Sequence, residues 1–177
     1  MKTYFVKTPC ILKRMFSMYT WHFAVKKKEI YLTFDDGPIP EVTEFVLDEL
    51  QKYQAKATFF CIGDNIRKYP AIFHRIQREG HSIGNHTFHH VNGWKTITAE
   101  YLENVQLSEE VILNEYEGSI KTKLFRPPYG KIKKSQAAKL LAKGYQIIMW
   151  DVLSADFDTG ISKEKCLHNV MTVSYTH

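Results

Sequence analysis

TFDDGP at residues 33–38 is the stretch that decides the fold, because it ends an apolar strand in two adjacent carboxylates and then turns sharply. The side chains of Asp35 and Asp36 repel each other unless a cation or a proton separates their roles. The pair therefore favours one metal ligand and one general base. Ordinary turn chemistry is the alternative interpretation, since turns use Asp, Gly and Pro for purely local reasons.

The rest of the chain alternates short apolar runs with amphipathic helices. The apolar runs are residues 30–34, 57–62, 82–83, 123–125 and 146–150. Helical periodicity follows them in residues 42–53, 65–79, 98–116, 137–141 and 162–171. Pro70 is expected to interrupt the second helix, and Gly144 to close the fourth. Repeated strand–helix units are typical of α/β proteins with a parallel sheet, either open or closed into a barrel.

The first predicted helix has one clear apolar face. Its apolar positions are Val42, Phe45, Val46, Leu50 and Tyr53. Their spacing of i, i+3, i+4, i+8 and i+11 places them on one side of an α-helix, the side on which such residues ordinarily pack.

Length and composition predict one globular domain. With 177 residues, 44% of them hydrophobic, the chain is long enough for one sizeable core and too short for two. We expect residues 1–28 to form a lead-in that packs its aromatic side chains on a domain at residues 29–177. An amphipathic surface anchor is the alternative for residues 1–28, although their apolar side chains keep no clean helical period.

Charge and cysteine content exclude several classes of protein. The formal charge of +5 is spread over many lysines among 19 acidic residues, so we expect no nucleic-acid groove. Three widely separated cysteines indicate neither a zinc knuckle nor a disulfide framework. We see no convincing signal peptide and no run of roughly 20 apolar residues that would span a membrane. We therefore expect a soluble, by default cytoplasmic protein, with a cell-envelope substrate still open.

Four histidines lie within the ten residues HSIGNHTFHH at 81–90. His86 and His90 are four residues apart, so on one helical turn their rings would share a face and could bind one metal ion. Together with the Asp36 carboxylate, two imidazoles leave coordination positions open for water and substrate, which is typical of a catalytic metal site. For His81 and His89 we expect local hydrogen bonding instead.

Two further strand ends carry polar residues. RPPYG at 126–130 combines an arginine with a loop stiffened by prolines, which suits the orientation of a carboxylate and the binding of an oxyanion by a backbone N–H. SADF at 154–157 adds an acid to a fourth strand end. In a barrel, the carboxyl ends of several strands converge on one mouth.

These four segments resemble the first four motifs of the polysaccharide deacetylase family, carbohydrate esterase family four. The resemblance covers residues 29–157. It implies a distorted, incomplete (β/α) barrel and the hydrolysis of N-acetyl groups on an amino-sugar polymer or oligomer, such as peptidoglycan or a chitin-type glycan. The partner it implies is therefore an acetylated glycan.

The resemblance also implies a role for each matching residue. Asp35 would be the general base. A divalent metal, most often zinc, with cobalt or nickel as alternatives, would be bound by Asp36, His86 and His90. Arg126 would hold Asp35, the backbone N–H of Tyr129 would help to bind the oxyanion, and Asp156 would tune the catalytic acid.

The resemblance breaks at the C-terminal end of the sequence. In the family, the acid that protonates the leaving nitrogen is a histidine in a Leu-x-His motif on a late strand, and no such strand follows Phe157 here. Neither His168, on the last predicted helix, nor His177 is expected to replace it. We therefore expect the C-terminal strand or strands of the barrel to be missing.

Three hypotheses follow. The first is a polysaccharide deacetylase represented by a truncated or altered chain. The second is a metal-containing glycan-binding relative that turns over poorly or not at all. The third is a hydrolase of the same fold that acts on another amide, such as a small cyclic imide or ureide, although relatives of that kind tend to depart from the metal set that this sequence keeps.

Overall fold

A computed structural model of the chain describes residues 4–23 and 29–174. The chain divides into two compact units, one formed by Tyr31–Ile147 and the other by the described parts of residues 1–30 and 148–177. The boundary that we predict from the sequence, between residues 28 and 29, is a different division and stays a prediction.

The unit Tyr31–Ile147 contains a parallel five-stranded sheet. Its strands are β1 Leu32–Asp35, β2 Ala57–Cys61, β3 Ser82–Asn85, β4 Lys123–Phe125 and β5 Tyr145–Ile147. The spatial order is β1-β2-β3-β4-β5, and every neighbouring pair is parallel. The predicted α/β class with a parallel sheet is confirmed. Among the described residues the sheet is open, with β1 and β5 as its edges.

Helices follow the strands as the periodicity predicts, and they are α2 Val42–Lys52, α3 Gly63–Lys68, α4 Pro70–Arg78, α5 Thr98–Glu115, α6 Lys134–Ala142 and α7 Lys163–Ser174. A short helix that the periodicity did not predict, α1 Cys10–Met15, precedes the first strand. Pro70 separates α3 from α4 as predicted, because its ring fits the first turn of a new helix. Gly144 adopts φ 82° just after α6, a conformation that glycine adopts without steric cost.

The core of this unit lies between the sheet and the helices α2 to α5. Its buried residues come from β2 and from the inner faces of these helices, and they are Leu47, Leu50, Ala57, Phe59, Cys61, Ile66, Phe73, Ile76 and Ile112. Strand β2 is central to this core because it is covered on both faces, which explains its nearly continuous apolar sequence ATFFC.

The predicted apolar face of α2 is confirmed only in part: Leu50 is buried and Val46 packs against the core, but the other three residues are exposed. Val42, Phe45 and Tyr53 are 62%, 63% and 80% exposed, whereas the helix buries Thr43, Leu47 and Leu50. The spacing i, i+4, i+7 of the buried residues is also helical, so periodicity alone did not distinguish the two faces. The orientation is set by tertiary contacts: Leu47 and Leu50 reach the core, and the Thr43 hydroxyl accepts a hydrogen bond from the Ile39 N–H at 2.8 Å.

The second unit joins the N-terminal segment to residues that follow β5. An antiparallel bridge pairs Lys7 with Val152, and a parallel bridge pairs Thr20 with Ile148. Both Lys7 and Lys13 form ion pairs with Asp151. Of the N-terminal aromatics, Tyr19 is buried, whereas others such as Phe5 and Phe23 are exposed. In the parts of the chain that the structure describes, no helix has the length and apolar character needed to cross a membrane.

Close packing between β2 and β3 generates the first prediction. A Cβ atom added to Gly84 would lie 2.4 Å from the ring of Phe60, which is fully buried. Gly84→Ala should therefore lower the free energy of unfolding by roughly 1–3 kcal/mol, as overpacking of a core does. Urea denaturation measures this change.

Gly160→Ala is the matched control, because the added methyl group would meet only the end of the Asp158 side chain, at 3.3 Å. A Gly84→Ala protein as stable as the control would contradict the packing described for these two strands.

Candidate metal centre and catalytic groups

Three side chains converge beyond the carboxyl ends of β1 and β3. Asp36 follows β1, and His86 and His90 follow β3. The Nε2 atoms of His86 and His90 lie 3.4 and 3.1 Å from Oδ1 of Asp36. One ligand atom from each of the three residues falls within 4.8 Å of the other two. The structure thus brings together the three residues that the sequence predicts as metal ligands.

The two histidines do not lie on a helical turn, so the geometric basis of that prediction is wrong. Residues 86–90 form a loop, in which Thr87 and His90 adopt φ values of 64° and 53°. Asp36 is also left-handed, with φ 68°. Such conformations are rare for residues other than glycine. Here they turn the two imidazoles toward the Asp36 carboxylate, although the residues between them follow no helical path.

The hydrogen bond at the other ring nitrogen suits His86 to metal binding. Its Nδ1 lies 2.7 Å from the carbonyl oxygen of Arg126, which can only accept a hydrogen bond. Nδ1 therefore carries the proton, and in the neutral ring Nε2 keeps its lone pair, directed toward Asp36. Metal-binding histidines are generally oriented in this way.

The distances among these atoms fit one small divalent ion. Zinc binds nitrogen and oxygen ligands at about 2.0–2.2 Å, so two ligands at a tetrahedral angle lie about 3.3–3.6 Å apart. The separations of 3.1 and 3.4 Å are close to this range. His86 is almost fully buried, whereas half of the Asp36 side chain is exposed, which leaves one side of the cluster open to solvent.

Electrostatics favour a positive charge among the three groups. Burial by itself raises the pKa of the Asp36 carboxyl, but hydrogen bonds and charge from His86 and His90 outweigh burial and hold this pKa well below its usual range. Asp36 is therefore ionised, as a metal ligand must be. The positive charge that it attracts can come from protons on the rings or from a metal ion.

Asp35 is held by a buried arginine that directly follows β4. Nη1 of Arg126 donates to Oδ1 of Asp35 at 2.8 Å and lies 2.7 Å from the Thr33 hydroxyl. The guanidinium packs over the ring of Phe60, 4.2 Å from its centroid. Burial lowers the pKa of Arg126 and the Asp35 carboxylate raises it, with burial the larger effect. An arginine nevertheless stays charged in proteins, so a charged pair orients Asp35.

Tyr129 lies in a 3₁₀ turn, Pro128–Gly130, directly beside the cluster. It is left-handed, with φ 60°, and its ring centroid lies 4.5 Å from that of His90. The two prolines before Tyr129 restrict the backbone conformation of this loop. Gly130, with φ 65°, completes the turn. Tyr129 therefore belongs to the same group of residues as the ligands, while the role of its backbone N–H stays a prediction.

Asp156 lies in the other compact unit, among residues 148–174. Its carboxylate accepts a hydrogen bond from the Ser154 hydroxyl at 2.9 Å. The structure thus brings together six of the seven predicted site residues in one unit, and the predicted role of Asp156 stays a prediction.

The two remaining histidines of the 81–90 segment have other contacts. Buried His81 accepts a hydrogen bond at Nδ1 from the Ala57 N–H, 3.3 Å away, and packs against Phe59. His89 packs edge-on against Phe88, with ring centroids 4.6 Å apart. Neither ring belongs to the Asp36 cluster.

Helix α5 holds the loop that carries the predicted ligands His86 and His90. The side-chain oxygen of Asn104, a buried residue of this helix, accepts hydrogen bonds from the N–H groups of Phe88 and His89 at 2.8 and 2.9 Å. Asn85 accepts from the Thr87 N–H at 2.8 Å and donates to the carbonyl of Val105 at 2.9 Å. The loop therefore has two polar attachments to the same helix.

Sequence reasoning missed several residues that position the site. The Asn65 amide donates to the Asp36 carbonyl at 2.8 Å, and Thr33 shares Arg126 with Asp35. Thr33 could have been found, because residues two apart on a strand point to the same face. Asn104 could have been suspected as a polar residue three positions after Tyr101, on the apolar face of α5. Asn65 gave no signal of this kind.

The Asn104 contacts generate the second prediction. Asn104→Ala removes the side-chain acceptor of the Phe88 and His89 N–H groups and leaves only the Asn104 backbone carbonyl, 3.1 Å from the Phe88 N–H, so the loop at residues 86–90 should be held less firmly. We expect zinc affinity to fall about 10–100-fold, the usual effect of removing a group that orients metal ligands. Competition with a chromogenic chelator measures this affinity.

Ser108→Ala is the matched control, since Ser108 is a fully buried polar residue one turn further along α5. It should bind zinc as the wild type does. An equal loss of affinity in both variants would indicate general damage to α5 and contradict a specific role for Asn104.

Comparison with known proteins agrees with this geometry. The sequence model of the polysaccharide deacetylase family matches residues 23–148. A peptidoglycan-N-acetylglucosamine deacetylase of Bacillus cereus is 40% identical over 157 residues, covering 89% of this chain and 56% of that protein. Chitin deacetylase 2 of Saccharomyces cerevisiae is 38% identical over 170 residues, which cover 85% of this chain and 50% of that protein.

A solved structure shows the same fold. The crystal structure of the Bc1960 peptidoglycan N-acetylglucosamine deacetylase superposes with a TM-score of 0.82 at 36% identity, covering 93% of this chain and 75% of that one. The chain spans about half the length of the two deacetylases from Bacillus cereus and Saccharomyces cerevisiae that it matches. The match over residues 23–148 and the shared fold establish that the chain belongs to the polysaccharide deacetylase family.

Proposed function

We propose that this chain hydrolyses N-acetyl groups of an amino-sugar polymer or oligomer at the Asp36–His86–His90 cluster. The observation that carries the proposal is the convergence of these three ligand atoms within 4.8 Å, beside an Asp35 carboxylate held by Arg126. Relatives named as peptidoglycan and chitin deacetylases support this substrate class. We favour peptidoglycan glycan strands, because the more similar of the two is a peptidoglycan deacetylase.

Asp36, His86 and His90 would hold a divalent metal. Two imidazoles and one carboxylate suit zinc, and they also accept cobalt or nickel. When bound, such a metal lowers the pKa of a water ligand to roughly 7 and polarises a carbonyl group. Since half of the Asp36 side chain is exposed, an acetamide could approach the open side of the cluster.

Asp35 would accept the proton of the attacking water. About a third of its side chain is exposed, whereas the Arg126 side chain that holds it is almost fully buried. One oxygen of Asp35 is thus oriented by a fixed charge, and the carboxylate remains within reach of water. Fixed orientation of a general base contributes to its efficiency, because proton transfer requires hydrogen-bond geometry.

The developing negative charge on the acetamide oxygen needs a donor as well. We assign this role to the backbone N–H of Tyr129, whose ring already lies against His90. Loss of one such donor typically costs on the order of 100-fold in rate. Asp156 is proposed to tune the acid that protonates the leaving nitrogen.

Acetate release tests this function. Wild-type protein with added zinc or cobalt should release acetate from an acetylated chitooligosaccharide or from peptidoglycan glycan strands. Asp36→Ala should lose both metal binding and activity. Asp35→Asn should still bind zinc but lose about 100-fold or more in rate, because only the base is removed.

Asp48→Asn is the matched control. Asp48 is an exposed carboxylate on α2 whose ion pair with Arg75 lies at the surface. Its loss should change neither zinc binding nor the rate of acetate release. Zinc binding without acetate release from either substrate would favour the glycan-binding alternative. A wild-type protein that binds no metal would overturn the assignment of the cluster.

A further inference from the structure

An exposed tryptophan lies on the loop between β3 and α5. The Trp94 side chain is 61% exposed, yet its ring N–H donates to the carbonyl oxygen of Ile132 at 3.2 Å. Its backbone N–H also donates to the Asn92 side chain at 3.0 Å. The indole is therefore held in one orientation while most of its apolar surface faces solvent.

A positive charge lies beside this ring. The ammonium group of Lys131 is 5.4 Å from the centroid of the Trp94 ring, within the range of a cation–π contact. Lys131 follows the Pro128–Gly130 turn, so the loop that presents Tyr129 also supplies the cation. An aromatic face and a hydrogen-bond donor are thus displayed together.

The backbone beneath Trp94 is rigidly held. A Cβ atom on Gly93 would lie 2.4 Å from the carbonyl oxygen of Lys131, so the two loops approach each other too closely for a side chain. The fully buried Gln136 donates from its amide to the carbonyls of Gly93 and Thr96, at 2.9 and 3.2 Å. An exposed tryptophan adds little to the core. A backbone held this closely beneath one is more typical of a preorganised binding surface.

This surface lies near the metal centre. Trp94 is only four residues after the ligand His90, so their Cα atoms are at most about 15 Å apart. The rings of His90 and Tyr129 are in contact, and Lys131 is two residues after Tyr129. The indole and the ammonium group are therefore within reach of a sugar that neighbours the one whose acetamide enters the metal site.

We infer that Trp94 and Lys131 form a glycan subsite beside the metal centre. The indole face stacks on the C–H face of a pyranose ring, and the Lys131 ammonium donates to a hydroxyl or carboxylate oxygen of the same chain. The inference rests on the proposed function, since it assumes that the substrate is a polymer of amino sugars. It adds that recognition extends beyond the sugar that is deacetylated.

The test compares a long substrate with a short one. Trp94→Ala should raise KM for acetylated chitopentaose about tenfold, as loss of an aromatic anchor typically does. The ratio of kcat/KM for chitopentaose to that for N-acetylglucosamine should fall by a similar factor. Lys131→Met should lower this ratio less, because it keeps the loop and removes only the charge.

Tyr53→Ala is the matched control, since Tyr53 is an aromatic residue directly after α2 that is 80% exposed. It should leave the ratio unchanged. Zinc affinity of each variant, measured alongside, shows whether the metal centre is intact. An unchanged ratio in Trp94→Ala with intact zinc binding would overturn the subsite.

Direct binding separates this inference from the proposed function. Isothermal titration of zinc-loaded Asp35→Asn protein with chitopentaose requires no turnover. Binding that weakens about tenfold on adding Trp94→Ala supports the subsite even where the wild type releases no acetate. Equal affinity with and without Trp94, or no binding of chitopentaose by the zinc-loaded protein, would overturn it.

Discussion

The site depends on one buried residue, Arg126, which acts through two different groups. Its guanidinium holds Asp35 at 2.8 Å, and its carbonyl oxygen accepts from Nδ1 of His86 at 2.7 Å. The proposed base and one proposed metal ligand are therefore oriented by the same residue, directly after β4. A buried charge is expensive unless it is paired, so the Asp35 carboxylate, the Thr33 hydroxyl and the Phe60 ring around Arg126 are as necessary to the fold as to the site.

Strain is concentrated around the same point. Asp36, Thr87, His90 and Tyr129 all have φ values between 53° and 68°, which L-residues seldom adopt. Each such residue costs on the order of 1–3 kcal/mol and persists only where its surroundings over-determine it. The Asn65 and Asn104 side chains supply part of that constraint, because they bind the backbone of Asp36 and of the residues just before His90.

Much of the fold could be predicted from local patterns. The alternation of strands and helices, the break at Pro70 and the helix start at Thr98 follow from periodicity and from the chemistry of proline. The buried face of α2 could not be predicted in this way. Two helical faces share Leu50 there, and only contact with the core buried the face that contains Leu47 rather than the face that contains Phe45 and Tyr53.

The sequence by itself determined which residue types stand at the strand ends, and hence the proposed ligands Asp36, His86 and His90, because position after a strand and side-chain chemistry are both local properties. Only the tertiary structure decided how these side chains are held. Thr33 and Arg126 are 93 residues apart, and His86 and Arg126 are 40 apart. Hydrogen bonds across such separations depend on strand order and on loop conformation, which no local period encodes.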